Sequence, residues 1–380
     1  MVTGRRPRDT VRVEVVGGGS LDNFTSFQIV NDITMPSEAS FEVGDDGTWS
    51  SMGDVFKPGT KFCVYINDRP RLTGRVEMND VPFDTQAGAV VRFTVRTKLS
   101  DAMYASAPKN VKVKDTSIQE FVLAVYQPLG YVLADFVFSQ ATARDLLTGR
   151  VSDRGVPDTN LEPIKVEEAK VQPSETIYAA VDRHLRRHGF MHWDAPDGRI
   201  IVGKPDDLQN PLFTFNMFRS FGGGGDPESN NVLGSTRTRD WSGIPSLVEV
   251  FGKGGKKGFG KSNVTAAASD ADVFAAGFYR PISIIAEGVR TIDLAVRAAN
   301  RELAARSKRK DGFGISVDGL SWWDGQSSVI YGPDTVAMIN TDVAGGNAGA
   351  YYIHAVTLMR NASAGDTAQL DMVKRGIWKL

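Results

Sequence analysis

Alternation of apolar and polar residues constrains this chain more than any other feature. Val11, Val13 and Val15 alternate with Arg12 and Glu14. Phe41 and Val43 alternate with Ser40 and Glu42, and Phe93 and Val95 with Arg92, Thr94 and Arg96. A period of two turns one face of an extended segment to a core and the other to water, so each stretch reads as a half-buried β-strand. Turn signals separate them: Gly17-Gly-Gly, Asp45-Asp-Gly, Lys57-Pro-Gly and Gln86-Ala-Gly. Six short strands at this spacing predict a small antiparallel barrel or sandwich.

The period changes after Ser106. Ile118, Phe121, Val122, Val125 and Tyr126 share one helical face, with Thr116 as a candidate cap, Glu120 near the first turn, and Pro128 and Gly130 as the stop. Residues 139–170 are polar without a long period and are expected to be loop. A second helix is predicted from Pro173-Ser-Glu, with Ile177, Val181 and Leu185 in four-residue steps and Gly189 at its end. A hairpin follows, Phe190 to Trp193 and Arg199 to Gly203 around Pro196-Asp-Gly. Gly222 to Gly225 with Asp226-Pro227 reads as a flexible joint. Strand pattern resumes at Ser246 to Phe251. A third helix is expected over about residues 291–309, with Ile292, Ala295, Val296, Ala299, Leu303 and Ala304 as its apolar stripe. Asp293 near its start and Arg306, Lys308, Arg309 and Lys310 at its end suit the helix dipole. Leu370 and Met372, alternating with Gln369 and Asp371, close the chain with strands.

A weak internal echo is present. Phe62–Ile66, Leu72–Met78 and Val91–Val95 are followed much later by Val336–Ile339, Tyr351–Met359 and Ala368–Val373, in the same order of strand, loop, strand, polar turn and alternating strand. The two sets suggest a duplicated domain. Between them, residues 253–310 hold twelve basic and five acidic side chains in a chain whose net charge is −1. That reads as a basic inserted subdomain.

Composition limits the functional classes. Apolar residues are 41% and charged residues 23%, in the range of ordinary globular chains. With 44 basic against 45 acidic residues, a whole-chain nucleic-acid clamp is not expected. The single cysteine, Cys63, leaves no intrachain disulfide and no cysteine-based zinc site. No stretch approaches the ~18 apolar residues of a membrane span, and no secretory signal is read at the N-terminus. Synthesis in a cytoplasm, without membrane insertion, is the expectation.

Chemical motifs are few. Gly255-Lys-Lys-Gly-Phe-Gly-Lys261-Ser262 fits the phosphate-binding loop pattern, whose backbone NH groups, lysine and serine would hold phosphates and magnesium. The βαβ setting of such a loop is missing, so a mobile basic loop is the competing reading. His184, His188 and His192 are four apart, a metal-ligand spacing on a helix, but Gly189 interrupts that helix and no glutamate completes a metalloprotease pattern. His354 alternates within a strand and reads as structural. There is no Gly-x-Ser-x-Gly elbow, and Cys63 sits mid-strand. Asp45-Asp46 and Asp206-Asp207 read as solvated turns. Trp322-Trp323 could stack on a sugar or plug an interface. The sequons at Asn23, Asn263 and Asn361 carry no weight without secretion. No catalytic, cofactor-binding or metal residue is assigned.

The run of features from Phe24-Thr-Ser-Phe-Gln-Ile, through Ala39-Ser-Phe-Glu-Val, Pro58-Gly-Thr-Lys-Phe-Cys-Val-Tyr-Ile, Leu72-Thr-Gly-Arg-Val and Val91-Arg-Phe-Thr-Val-Arg-Thr-Lys-Leu-Ser-Asp-Ala-Met, to Ser174-Glu-Thr-Ile-Tyr-Ala-Ala and Asp197-Gly-Arg-Ile-Ile-Val, resembles the baseplate hub proteins of contractile phage tails, most closely the Mu-like hub. It is similar in plan to late-control tail proteins and to the base of type VI secretion spikes. The resemblance spans about residues 10–220 in detail and the rest by element order. It implies a mainly β fold with α+β parts: two small tube-like antiparallel β-barrel domains plus helix-containing peripheral domains. The division expected is 1–106 for the first barrel, 107–222 for an α+β peripheral domain, 223–252 with 311–380 for the second barrel, and 253–310 for the basic helical insert. It implies a non-enzymatic homotrimer in the virion tail baseplate, forming a pseudo-sixfold ring between a hexameric tail tube protein and a trimeric central spike protein, beside other baseplate proteins, with no cofactor and no specific nucleic-acid sequence. The alternatives are a nucleotide hydrolase using Lys261, a tail-associated wall hydrolase, and a carbohydrate-binding module using Trp322 and Trp323.

Overall fold

The alternating segments fold as their period requires. A computed structural model describes residues 8–21, 24–44, 56–84, 88–109, 111–113, 116–138, 169–172, 174–187, 190–220, 225, 227–253, 263–286, 289, 291–323, 327–343, 348–361, 363 and 365–376. The chain is mainly β, with one large, almost wholly antiparallel sheet, smaller sheets and a few helices. In the first part, β1 (Val11–Val15), β2 (Phe24–Asp32), β3 (Met35–Gly44), β4 (Lys61–Ile66), β5 (Arg69–Asp80) and β6 (Gly88–Thr97) pair antiparallel in the spatial order β1-β4-β5-β6-β3-β2. Their inward residues are those the period picks out, with Phe62, Val64, Ile66 and Val76 all buried. Phe93 is the centre of an aromatic cluster, 5.1 Å from Phe41, 4.7 Å from Phe56 and 5.3 Å from Phe62. The β4–β5 hairpin turns on Asn67 and Asp68, at φ +50° and +59°, the left-handed pair that a tight two-residue turn needs. Midway along β5, Gly74 lies so close to β6 that an added Cβ would sit 2.2 Å from the Arg96 carbonyl oxygen.

Three helices follow: α1 (Leu99–Tyr104), α2 (Ile118–Tyr126) and α3 (Ile177–Arg187). The cap of α2 is Ser117 rather than Thr116. Its hydroxyl accepts from the Glu120 NH while the Glu120 carboxylate accepts from the Ser117 NH, which satisfies two orphan donors at once. Ile177, Val181 and Leu185 are buried as expected. The hairpin of β7 (Met191–Asp194) and β8 (Ile200–Gly203) is buried on both faces. Ile200 and Val202 pack on the helices, while Met191, Trp193 and Ile201 pack with Val336, Tyr352 and Val373 from later in the chain. The expected loop 139–170 lies outside the described residues except for Ala169–Lys170, which pairs with Lys112–Val113.

The second part contains β9 (Phe213–Met217), β10 (Gly234–Thr238), β11 (Leu247–Lys253), β12 (Asn263–Ser269), β13 (Pro281–Ala286), α4 (Ile292–Ser307), β14 (Gly312–Asp318), β15 (Thr335–Thr341), β16 (Gly349–Asn361) and β17 (Gly365–Lys374). Sheet membership differs from the expected boundaries in two places. β9, expected in the peripheral domain, pairs with β15 in the large sheet, and does so in parallel. Such a pairing needs a long connection, which more than a hundred residues supply. β11, expected in the second barrel, instead pairs with β12 and β13 in a separate sheet covered by α4. On α4 the stripe is narrower than its periodicity suggests: Ala295, Ala299 and Ala304 are buried, whereas Ile292 and Val296 are exposed. In β15 the core residues are Ala337 and Ile339. Met338 is only half-buried, and Val336 faces the peripheral hairpin. The joint at 222–224 and 226 lies outside the described residues.

A buried carboxyl ties the hairpin to the first strands. Asp194 accepts from the Ser37 NH at 2.6 Å and the Thr97 hydroxyl at 2.7 Å. Burial pushes this carboxyl up to about 7, against the pull of those two donors. Its ionisation is therefore disfavoured only in the folded state, so its contribution to stability falls as pH rises from about 4 to about 7. Nearby, burial pushes His192 down to about 4, so stability is also lost as pH falls from about 6.5 to about 4. Asp194→Asn keeps an oxygen for both donors but cannot ionise. We expect it to raise the urea midpoint relative to the native chain at pH 8 and to leave it nearly unchanged at pH 4. An equal effect at both pH values would mean that Asp194 is not the titrating group.

Candidate functional site

The sequence motifs do not converge on a chemical site. Residues 254–262, which carry the phosphate-loop pattern and Lys261, lie outside the described residues. Their flanks are β11 and β12, paired from Lys253 opposite Asn263 onward. The segment thus joins two antiparallel strands, and no helix follows it to present its N-terminus to a phosphate. His188 is also outside the described residues. His184 lies edge-on to Phe121 at 4.6 Å between α2 and α3, and His192 packs on Tyr178 at 4.3 Å. Both are buried and sit on different elements. Among the described residues no group of histidine, cysteine or carboxylate side chains could hold a metal ion.

The remaining candidates have structural places. Trp322 lies edge-on to Phe215 at 5.6 Å, against the core. Cys63 is half-buried in β4 opposite Thr73, on the strand face away from the core residues Phe62 and Val64. Asp207, expected as a solvated turn, is 4% exposed and accepts from the Gly376 NH at 2.8 Å, which anchors the turn after β17. Asp206 donates its NH to Asp334 Oδ1. Asp45-Asp46 and Asn23 lie outside the described residues.

What the fold does build is a wall with a repeated plan. The strands β9, β10, β14, β15, β16 and β17 lie in the order β9-β15-β16-β17-β14-β10. This is the order of the first part: first, fourth, fifth, sixth, third, second. The registers match as well. Phe62 opposite Gly74 and Val64 opposite Leu72 correspond to Ala337 opposite Tyr351 and Ile339 opposite Gly349. Both long strands bulge at the same place, between Val76 and Met78 in β5 and between Ile353 and Ala355 in β16. Phe93 opposite Phe41 corresponds to Leu370 opposite Ile315. The units depart from each other in the first strand, which is antiparallel to its neighbour in the first unit and parallel in the second.

One junction joins the two units. After its bulge, β16 stops pairing with β15 and pairs antiparallel with β2, from Ala355 opposite Asp32 to Arg360 opposite Phe27. Polar side chains lock it. Arg360 grips Asp366 with two parallel bonds, donates to the Asp9 carbonyl at 3.1 Å, and lies over the rings of Phe24 and Phe27. The Asp9 carboxylate, itself buried, accepts from the Leu320 NH at 2.8 Å, the Ser321 hydroxyl at 2.6 Å and the Asn67 amide at 2.7 Å. Arg69 donates to the Ser328 carbonyl at 3.2 Å. Sequence reasoning missed Asp9 and Arg360, because neither has a motif and the contacts that join the two units, Asp9 with Leu320, Ser321 and Arg360, span more than 300 residues.

This fold, a large sheet built from two like units with helical appendages, is shared with solved phage tail proteins. In detail, the chain is similar to the tail protein from Neisseria meningitidis MC58, with a TM-score of 0.77 at 17% identity over 98% of both chains. It is similar to the 43 kDa tail protein of prophage MuSo2 from Shewanella oneidensis, with a TM-score of 0.72 at 16% identity, over 97% of this chain and 99% of that one. A third likeness is to an E. coli component of the type VI secretion system that is itself structurally similar to T4 bacteriophage tail proteins. There the TM-score is 0.53 at 11% identity, over 95% of this chain and 76% of the other. No family model and no curated protein matches the sequence.

Arg360→Ala would leave Asp366 unpaired in a largely buried place. We expect a loss of about 3 kcal/mol in unfolding free energy. A double-mutant cycle with Asp366→Ala should give a coupling of about 1–3 kcal/mol. A coupling near zero by urea titration would remove the pair from the junction's energetics.

Proposed function

We propose that this chain is a structural hub subunit of a phage-type tail baseplate, and that three copies form a ring between a hexameric tube and a trimeric central spike. One observation carries the reading: a single chain contains the same strand order twice, with matched registers and a matched bulge. A sixfold tube end presents six equivalent sites. Three copies of a single unit would fill three and leave buried backbone groups elsewhere without partners, at about 1–3 kcal/mol each. Two like units per chain, in a closed ring of three chains, supply six. The role is geometric, matching symmetries and bearing load, and needs no catalytic residue. The likeness to two tail proteins, one of them from a prophage, supports a place in the virion tail, among other baseplate proteins. The helical peripheral domain and the basic insert then stand outside the ring as surfaces for those neighbours.

Light scattering at high protein concentration should give three times the 41.3 kDa chain mass, and negative-stain class averages should show a six-lobed ring. A strictly monomeric mass with no ring in assembled tails would end this reading. Purified protein should hydrolyse no ATP, and Lys261→Ala should assemble normally. Micromolar ATP binding that is lost in Lys261→Ala would instead support a nucleotide enzyme.

A further inference from the structure

The junction inside the chain identifies the surfaces that should meet between chains. In the second unit the fifth strand, β16, runs past its bulge and offers its free edge to the second strand, β2, of the first unit. The corresponding surfaces of the other pair are open. In the first unit the fifth strand, β5, pairs with β4 only up to Arg75, and its residues after the bulge have no strand on that edge among the described residues. In the second unit the second strand, β10, pairs with β14 on one side and with nothing on the other among the described residues.

We propose that the β5 edge of one copy pairs antiparallel with the β10 edge of the next copy, repeating between chains the β16–β2 junction within a chain. This rests on the trimer reading and specifies its interface. The shared registers fix the alignment. The bulge equates Met78, Asn79 and Asp80 with Ala355, Val356 and Thr357. The pairing with the third strand equates Val30 with Thr238, since Val30 lies opposite Glu38 and Thr238 opposite Gly312, and Glu38 and Gly312 lie opposite Arg96 and Val373. Thr357 lies opposite Val30, so Asp80 of one copy falls opposite Thr238 of the next. Asn79 then falls opposite Arg239, and Met78 opposite Asp240.

Both edges carry exposed apolar side chains. Met78 and Val81, which follow the bulge, are each 58% exposed, and Leu233, at the start of β10, is 63% exposed. The outer strand Gly234-Ser-Thr-Arg-Thr238 carries neither lysine nor proline, the usual devices that keep a sheet edge from pairing. Its one arginine, Arg237, is held by Asp311 through two bonds of 2.8 Å and is turned away from blocking duty. Opposite it, Pro82 follows Val81 and ends the hydrogen-bonding edge of β5. The contact is head-to-tail, because the two edges differ, and such contacts form a ring when their rotation closes and a filament when it does not.

The test uses full-length protein in a Cys63→Ser background. Asp80→Cys with Thr238→Cys should give, on oxidation, a ladder that ends at three chain masses, while each single variant should not. The pair Asp80→Cys with Gly234→Cys, four residues out of register, should not link. The intrachain pair Thr357→Cys with Val30→Cys reports whether this junction geometry accepts a disulfide. Independently, amide exchange over Arg237–Asp240, opposite Met78–Val81, should slow at least about tenfold on assembly. A trimer in which those amides exchange as in the monomer, or in which the shifted pair links equally well, overturns the strand pairing and leaves the trimer standing. A monomer at every concentration overturns both.

Discussion

Strand edges govern this molecule. A backbone NH or carbonyl at an edge must find a partner or face water, and β16 shows how the fold meets that demand. Ten of its thirteen residues pair with β17 along one side. On the other side they pair first with β15 and then, beyond one bulge, with β2. A single strand therefore belongs to both units, and the bulge at His354 marks the handover. The sheet passes from one unit to the other without a break in hydrogen bonding. Rigidity across the wall follows from that continuity rather than from any flexible linker.

The polar groups at the junction add direction to this pairing. Sheet hydrogen bonds alone tolerate slippage, since a strand can shift by two residues and keep its faces. Asp9 does not tolerate it. Its carboxylate must meet Leu320, Ser321 and Asn67 together, and its carbonyl must meet Arg360. Buried charge is costly when unpaired, so a shifted register would strand it. Asp194 acts similarly between the peripheral hairpin and the first unit. The peripheral hairpin is buried on both faces because it separates the helices from the outer surface of the second unit.

Function and fold were legible to different depths. The alternations at Val11, Phe41 and Phe93, and the helical step of Ile177, Val181 and Leu185, identified elements correctly, because each signal lies within one turn or one strand. The echo between Phe62–Val95 and Val336–Val373 marked the fourth, fifth and sixth strands of the two units, and these are the strands joined by local hairpin-like order. The outer strands left no such trace. β10 is polar and short, and β9 lies in the sequence beside the peripheral domain although it pairs with β15. Ile292 and Val296 fit the apolar stripe of α4 yet face outward, because alanines bring that helix close to its sheet.

By itself, then, the sequence determined the elements, the facing of the alternating strands of the first unit and the kinship between the two halves, because period, turn residues and side-chain size act over a few neighbouring positions. Only the tertiary structure decided which strands share an edge, where the basic insert begins, and which isolated charges become clamps. Those outcomes depend on backbone groups and carboxylates finding partners up to 351 residues away, as Asp9 finds Arg360, and no local pattern encodes a partner at that distance.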